Sequence, residues 1–207
     1  SSSGPNWLVN VNGTLFFQAL DPATGTELWK SDGTAAGTLL VADINSGFAR
    51  SDSGGLKNIG GTLFFSASDG VHGNELWKSD GTLAGTVQVM DINPGVNGSG
   101  PSGMTNINGT VYFQAFDGVN GVELWKSDST AAGTTLVKDI FSGFNSSYPN
   151  SFVNANGTLY FQADDGMNGQ ELWKSDGTSA GTMQVKDIWP AMVALDFGGN
   201  GVTANDP

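Results

Sequence analysis

Glu27-Leu28-Trp29-Lys30-Ser31-Asp32 returns unchanged at Glu75–Asp80, Glu123–Asp128 and Glu171–Asp176, a constant step of 48 residues with no insertion or deletion between copies. A period in the forties, with room for about four short strands per unit, marks a propeller blade. The sequence therefore predicts an all-β fold: a β-propeller of four 48-residue, four-stranded antiparallel blades. The array spans residues 1–190, and the non-repeat tail, 191–207, reads as a capping strand or linker.

Within the first unit, Leu8 to Asn12 reads as a short strand and Asn12-Gly13 as its turn, since both residues tolerate positive φ. Thr14 to Leu20, Glu27 to Asp32 and Thr38 to Ile44 follow as the other three strands. In the second, Leu15, Phe17 and Ala19 point one way and Phe16 the other. In the third, Trp29 and Leu28 take opposite sides. Apolar bulk on both faces suits a small sheet held between neighbouring sheets. Trp29, Trp77, Trp125 and Trp173 are expected between blades, and Trp7 and Trp189, outside that column, are expected either to be exposed or to close the array. Asn10, Asn58, Asn106 and Asn154 either line a central channel or bond to neighbouring turns.

Gly at 31 of 207 residues signals tight turns rather than helices. No apolar run approaches the roughly 20 residues that span a bilayer. Ser1-Ser-Ser-Gly-Pro5 is not a signal peptide, so the N-terminus reads as that of a mature or trimmed fragment. There is no cysteine, which excludes disulfides and thiol chemistry. The net charge is −12, with eight Lys and Arg against twenty Asp and Glu, a field that repels nucleic acid. Sixteen of those twenty acids fall in the columns of Asp21, Glu27, Asp32 and Asp43, so acidity belongs to the blade plan.

The segment Glu75-Leu-Trp-Lys-Ser-Asp-Gly-Thr-Leu-Ala-Gly-Thr86 resembles the ELWxxDGT repeat of large exported bacterial proteins, and the resemblance covers roughly residues 5 to 190. It implies a secreted or cell-surface, propeller-like array and brings no catalytic residues with it. Ser-Asp-Gly-Thr is also similar to the Asp-box turn of sialidase-type propellers, where it is structural. Two copies depart: Ser129 stands in the glycine column of that turn, and Pro22 stands where the other copies have Gly70, Gly118 and Gly166.

Asp32, Asp80, Asp128 and Asp176 are expected to lock their turns by accepting backbone N–H groups. The pairs Asp21/Glu27, Asp69/Glu75, Asp117/Glu123 and Asp165/Glu171 bracket short loops. Like charges facing across a hairpin cost about 0.2–1 kcal/mol unless donors or a cation intervene. Ca²⁺ is the candidate cation for oxygen-rich loops of an exported protein, and backbone hydrogen bonds are the competing explanation. His72 is the only histidine, which excludes a His-based metal site and most triads.

The leading expectation is a non-enzymatic extracellular structural or adhesion module whose partner is itself, in an oligomer or filament. The alternative is a carbohydrate-binding, lectin-like propeller whose partners are surface glycans. A sialidase-type glycoside hydrolase stands third, because no asymmetric cluster of Arg, Tyr and acids is visible and Arg50 is the only arginine.

Overall fold

A computed structural model describes residues 2–190. The first blade comprises β1 (Asn6–Val11), β2 (Thr14–Asp21), β3 (Gly25–Ser31) and β4 (Leu39–Ala42). The second holds β5 (Gly54–Ile59), β6 (Thr62–Ser68), β7 (Asn74–Ser79) and β8 (Val87–Met90). The third holds β9 (Ser102–Ile107), β10 (Thr110–Phe116), β11 (Val122–Ser127) and β12 (Thr135–Lys138). The fourth holds β13 (Asn150–Ala155), β14 (Thr158–Asp164), β15 (Gln170–Ser175) and β16 (Met183–Lys186). Every sheet runs in chain order with antiparallel neighbours, the four-blade propeller expected from the repeat. Among the described residues no helix is long and apolar enough to cross a membrane.

The β1–β2 turn takes the primed form because both central residues accept positive φ: Asn12 lies at 53° and Gly13 at 88°. Asn108-Gly109, Asn156-Gly157 and Gly60-Gly61 repeat it. Two strand limits differ from expectation. In the first blade β3 begins at Gly25, which pairs with Asp21 and shortens the loop between them. The fourth strand stops at Ala42, because the Ile44 N–H leaves the ladder to donate to Glu27.

Alternation builds the core. The outward side of one blade, with Phe16, Leu28 and Val41, packs on Leu56, Leu63, Phe65 and Ala67 of the next. The same columns pair the second blade with the third and the third with the fourth. Buried apolar contact between the sheets is the main stabilising term. Trp125 and Trp173 are buried in these seams, whereas Trp29 and Trp77 are half-buried. Polar stitches reinforce each seam. Lys30 Nζ donates to the Gly81 carbonyl at 2.7 Å, Lys78 to Ser129 at 2.9 Å and Lys126 to Gly177 at 2.8 Å. The first and fourth blades share none of these clusters. The proposed capping strand or linker at 191–207 lies outside the described residues.

Candidate functional site

The Glu column is buried. Glu27, Glu75 and Glu123 have no exposed surface, and Glu171 is buried too. Glu27, Glu75 and Glu123 each reach the chain linking their blade to the next. Glu75 accepts the N–H of Ile92 at 3.0 Å, of Asn93 at 3.3 Å and of Ser99 at 2.8 Å, and the Ser99 hydroxyl at 2.6 Å. Glu123 takes the N–H of Ile140 and both the N–H and the hydroxyl of Ser147. Glu27 takes the N–H groups of Ile44 and Ser51, the Ser51 hydroxyl donating instead to the Thr26 carbonyl. Glu171 accepts the Ile188 N–H at 3.2 Å. Burial pushes the Glu27 carboxyl up to about 7 against these hydrogen bonds, and the Asp43 charge adds to the rise. Burial likewise raises Glu75 and Glu123.

The Asp21 column folds its own loop. Asp21 accepts the Ala23 N–H, and Asp69 accepts those of Val71 and His72. Asp117 and Asp165 hold Asn120 and Asn168 through backbone and side-chain N–H groups. Burial works to raise Asp69, Asp117 and Asp165, yet these donors hold all three below the usual carboxylate range. His72 Nδ1 sits 2.7 Å from Asp69, a contact that raises the imidazole.

In β2–β3 register Glu27 stands opposite Ala19, not Asp21, and the two carboxylates take separate donor sets. Those sets are N–H and O–H groups, the surroundings of an acceptor rather than of a cation. Among the described residues no three His, Cys, Asp or Glu side chains gather as metal ligands. Calcium between the pairs remains a proposal for chelation to test.

The Asp32 column locks its turns in all four copies. Asp80 Oδ1 accepts both the Thr82 N–H, at 2.8 Å, and its hydroxyl, at 2.7 Å. Asp32, Asp128 and Asp176 repeat the pair, and these bonds hold all four carboxyls low. The Asn10 column bonds to turns: Asn10 Oδ1 accepts Gly13 N–H, and Asn58 Nδ2 reaches back to the Asn10 carbonyl of the preceding blade.

The copies differ around one central cavity of about 690 Å³, bordered by the first strands of all four blades. Trp7, Asp52, Lys57, Gln114 and Phe152 are among its lining residues. Trp7 sits at a bulge in β1 with φ of 56°, where Gly55 and Gly103 occupy the same column. Its indole lies across Gly54 and is half exposed. A bulky residue in left-handed backbone is a strained choice of the kind found at binding sites. The sequence reading placed Trp7 outside the core but missed the cavity, and the glycines in its column were the available signal. Ser51, Ser99 and Ser147, the partners of the Glu column, also went unread, although each follows its Glu by 24 residues.

No protein-family model matches the chain, and no curated protein matches it. Among solved structures, puromycin hydrolase is similar at 14% identity with a TM-score of 0.58, over 90% of this chain and 30% of that one. A puromycin hydrolase mutant complexed with PGG gives 15% identity and a TM-score of 0.57 over the same shares, 90% and 30%. The computationally designed Ika8 protein gives 14% identity and a TM-score of 0.49, over 87% of this chain and 48% of that one. At such identity the likeness to puromycin hydrolase concerns the fold alone. The chain spans about a third to a half of the length of these structures.

Proposed function

We propose that this chain is a non-enzymatic structural or adhesion module, secreted or held at a bacterial cell surface. One observation carries the reading. In every copy the Glu column, the Asp21 column and the Asp32 column accept donors from the backbone of their own repeat. A catalytic acid or nucleophile needs a carboxyl oxygen aimed at substrate. Here the repeated acids serve the joints and turns of a scaffold. Incubating the chain with polysaccharide and aryl-glycoside panels tests this. Turnover above background that vanishes in Glu75→Gln would overturn the reading.

A second reading, carbohydrate binding, draws on the cavity, because an exposed indole beside polar groups suits stacking on a sugar ring. A glycan array supports it if binding appears and is lost in Trp7→Ala. Hydrolysis of the sialidase type draws on no observation of comparable weight.

A further inference from the structure

The two ends of the blade array carry the two halves of one seam. Leu28, Leu76 and Leu124 have no exposed surface because the following blade covers them, whereas Leu172 is 41% exposed. Val185 and Ile188 are open as well, although Val89, Val137, Ile92 and Ile140 in the same columns are buried. At the other end, Leu8 is 61% exposed, against 5% for Met104 in its column. Leu15 is half-covered, where Leu63, Val111 and Leu159 in its column are buried.

The polar stitches break off at the same two places. Lys30, Lys78 and Lys126 each donate to the turn carbonyl of the next blade. Among the described residues Lys174 has no such acceptor, and the Gly33 turn, whose counterparts Gly81 and Gly177 are buried, is exposed. An apolar face identical in plan to three internal seams identifies its own occupant: a blade of this same repeat, approached from its first-strand side.

We infer that the open face of the fourth blade docks on the open face of the first blade of a second copy, so that two chains close head to tail into one eight-bladed ring. Eight blades lie within the range of roughly four to eight that propellers use. The contact is heterologous, and a ring of two copies makes it twice. Leu172, Val185 and Ile188 meet Leu8, Leu15 and Trp29 of the second copy. Lys174 donates to the Gly33 carbonyl of the second copy, as Lys30 does to Gly81, and Asn156 to Gly13, as Asn12 does to Gly61 at 3.2 Å. Ring closure also removes the exposed end faces that would otherwise recruit stray chains. The inference supplies the partner for the structural reading above and rests on it. The two fail separately, since turnover overturns that reading and says nothing of the chain's mass.

Sedimentation equilibrium and light scattering on the full 207-residue chain test it. The expected mass is that of two chains. Leu172→Asp at one end and Leu8→Asp at the other should each raise the dissociation constant at least about tenfold, or about 1.4 kcal/mol. Both sites are exposed in the single chain, so far-UV circular dichroism should stay unchanged, and Met167→Asp, on an exposed loop, should leave the mass unchanged. Mixing the two end variants restores one intact seam and should give a mixed dimer weaker than wild type. Three results overturn the inference: a strictly monomeric wild type, either end variant dimerising alone as well as wild type, or a monomer that dimerises only after residues 191–207 are removed, which would make that segment the occupant.

Discussion

Glu75 Oε2 accepts the Ser99 hydroxyl at 2.6 Å, tying the third strand of the second blade to the chain that enters the third blade. Glu123 and Ser147 repeat the bond one blade later at 2.6 Å. Each of the first three blades is thus fastened to its successor by a buried acid as well as by the apolar seam. A buried acid with this many donors is costly to remove, because the donors left behind stay buried without water.

Glu75→Ala should therefore destabilise strongly. It strands the N–H groups of Ile92 and Asn93 and the hydroxyl of Ser99, whose own N–H keeps the Asn74 carbonyl, at about 1–3 kcal/mol for each donor that finds no partner. The expected loss is at least about 3 kcal/mol, with the melting temperature down by about 6 °C or more. Glu75→Gln keeps one acceptor oxygen and should lose less. Urea unfolding followed by tryptophan fluorescence measures both, and a loss below about 1 kcal/mol for the alanine variant would mean that water or rearrangement replaces the carboxylate.

The blade plan was legible because its signals are local and repeated. Asn12-Gly13 sets a turn, and the opposed Phe16 and Phe17 announce two covered faces. The role of Glu27 was not legible in the same way. Its side chain leaves the hairpin and meets Ile44 and Ser51, far along the chain, so hairpin spacing wrongly suggested Asp21 as its neighbour. Only the constant serine offset encodes that contact. Trp7 was hidden for another reason: a bulge with positive φ interrupts the alternation from which strands are read.

Ser129→Gly should stabilise. Ser129 holds φ of 80° where Gly33, Gly81 and Gly177 hold 93°, 88° and 88°. A side chain in left-handed backbone costs about 1–2 kcal/mol, partly offset by the greater freedom of glycine in the unfolded chain. The net expected gain is about 0.5–1 kcal/mol, read as a rise in melting temperature of about 1–4 °C. The reverse change, Gly81→Ser, should destabilise, because a Cβ there would lie 2.9 Å from Phe16 Cζ. A neutral Ser129→Gly would show that the serine relieves its own strain.

Chelation should leave the melting temperature unchanged. A metal bound only to the native state would stabilise it by mass action, and its removal would lower the transition. The carboxylates of Asp69 and Glu75 face N–H and O–H donors, so no such loss is expected. A fall in melting temperature with chelator, reversed by added Ca²⁺, would restore the calcium proposal for the Asp21/Glu27 pairs.

Stability should peak in mildly acidic solution, and the sign follows from two opposed columns. Glu27 is raised from 4.5 to about 7 in the fold, so its favourable contribution is complete below 4.5 and is lost as pH climbs through 7. Glu75 and Glu123 shift in the same direction, as does His72, whose contact with Asp69 weakens as pH rises through the raised pKa of the imidazole. The lowered carboxyls of Asp32, Asp80, Asp128 and Asp176 act at the other end. Their contribution is present above 3.8 and is lost as pH falls through their folded values. One pKa unit is worth about 1.4 kcal/mol, so the melting temperature should be at least about 3 °C lower at pH 8 than at pH 5. It should fall again in strong acid. Glu27→Gln removes one proton-binding group from the alkaline limb and should flatten it, while leaving the acid limb as it was. Melting curves of both proteins across that range decide the point: a wild type more stable at pH 8 than at pH 5 would mean that the Glu column is ionised at its joints throughout.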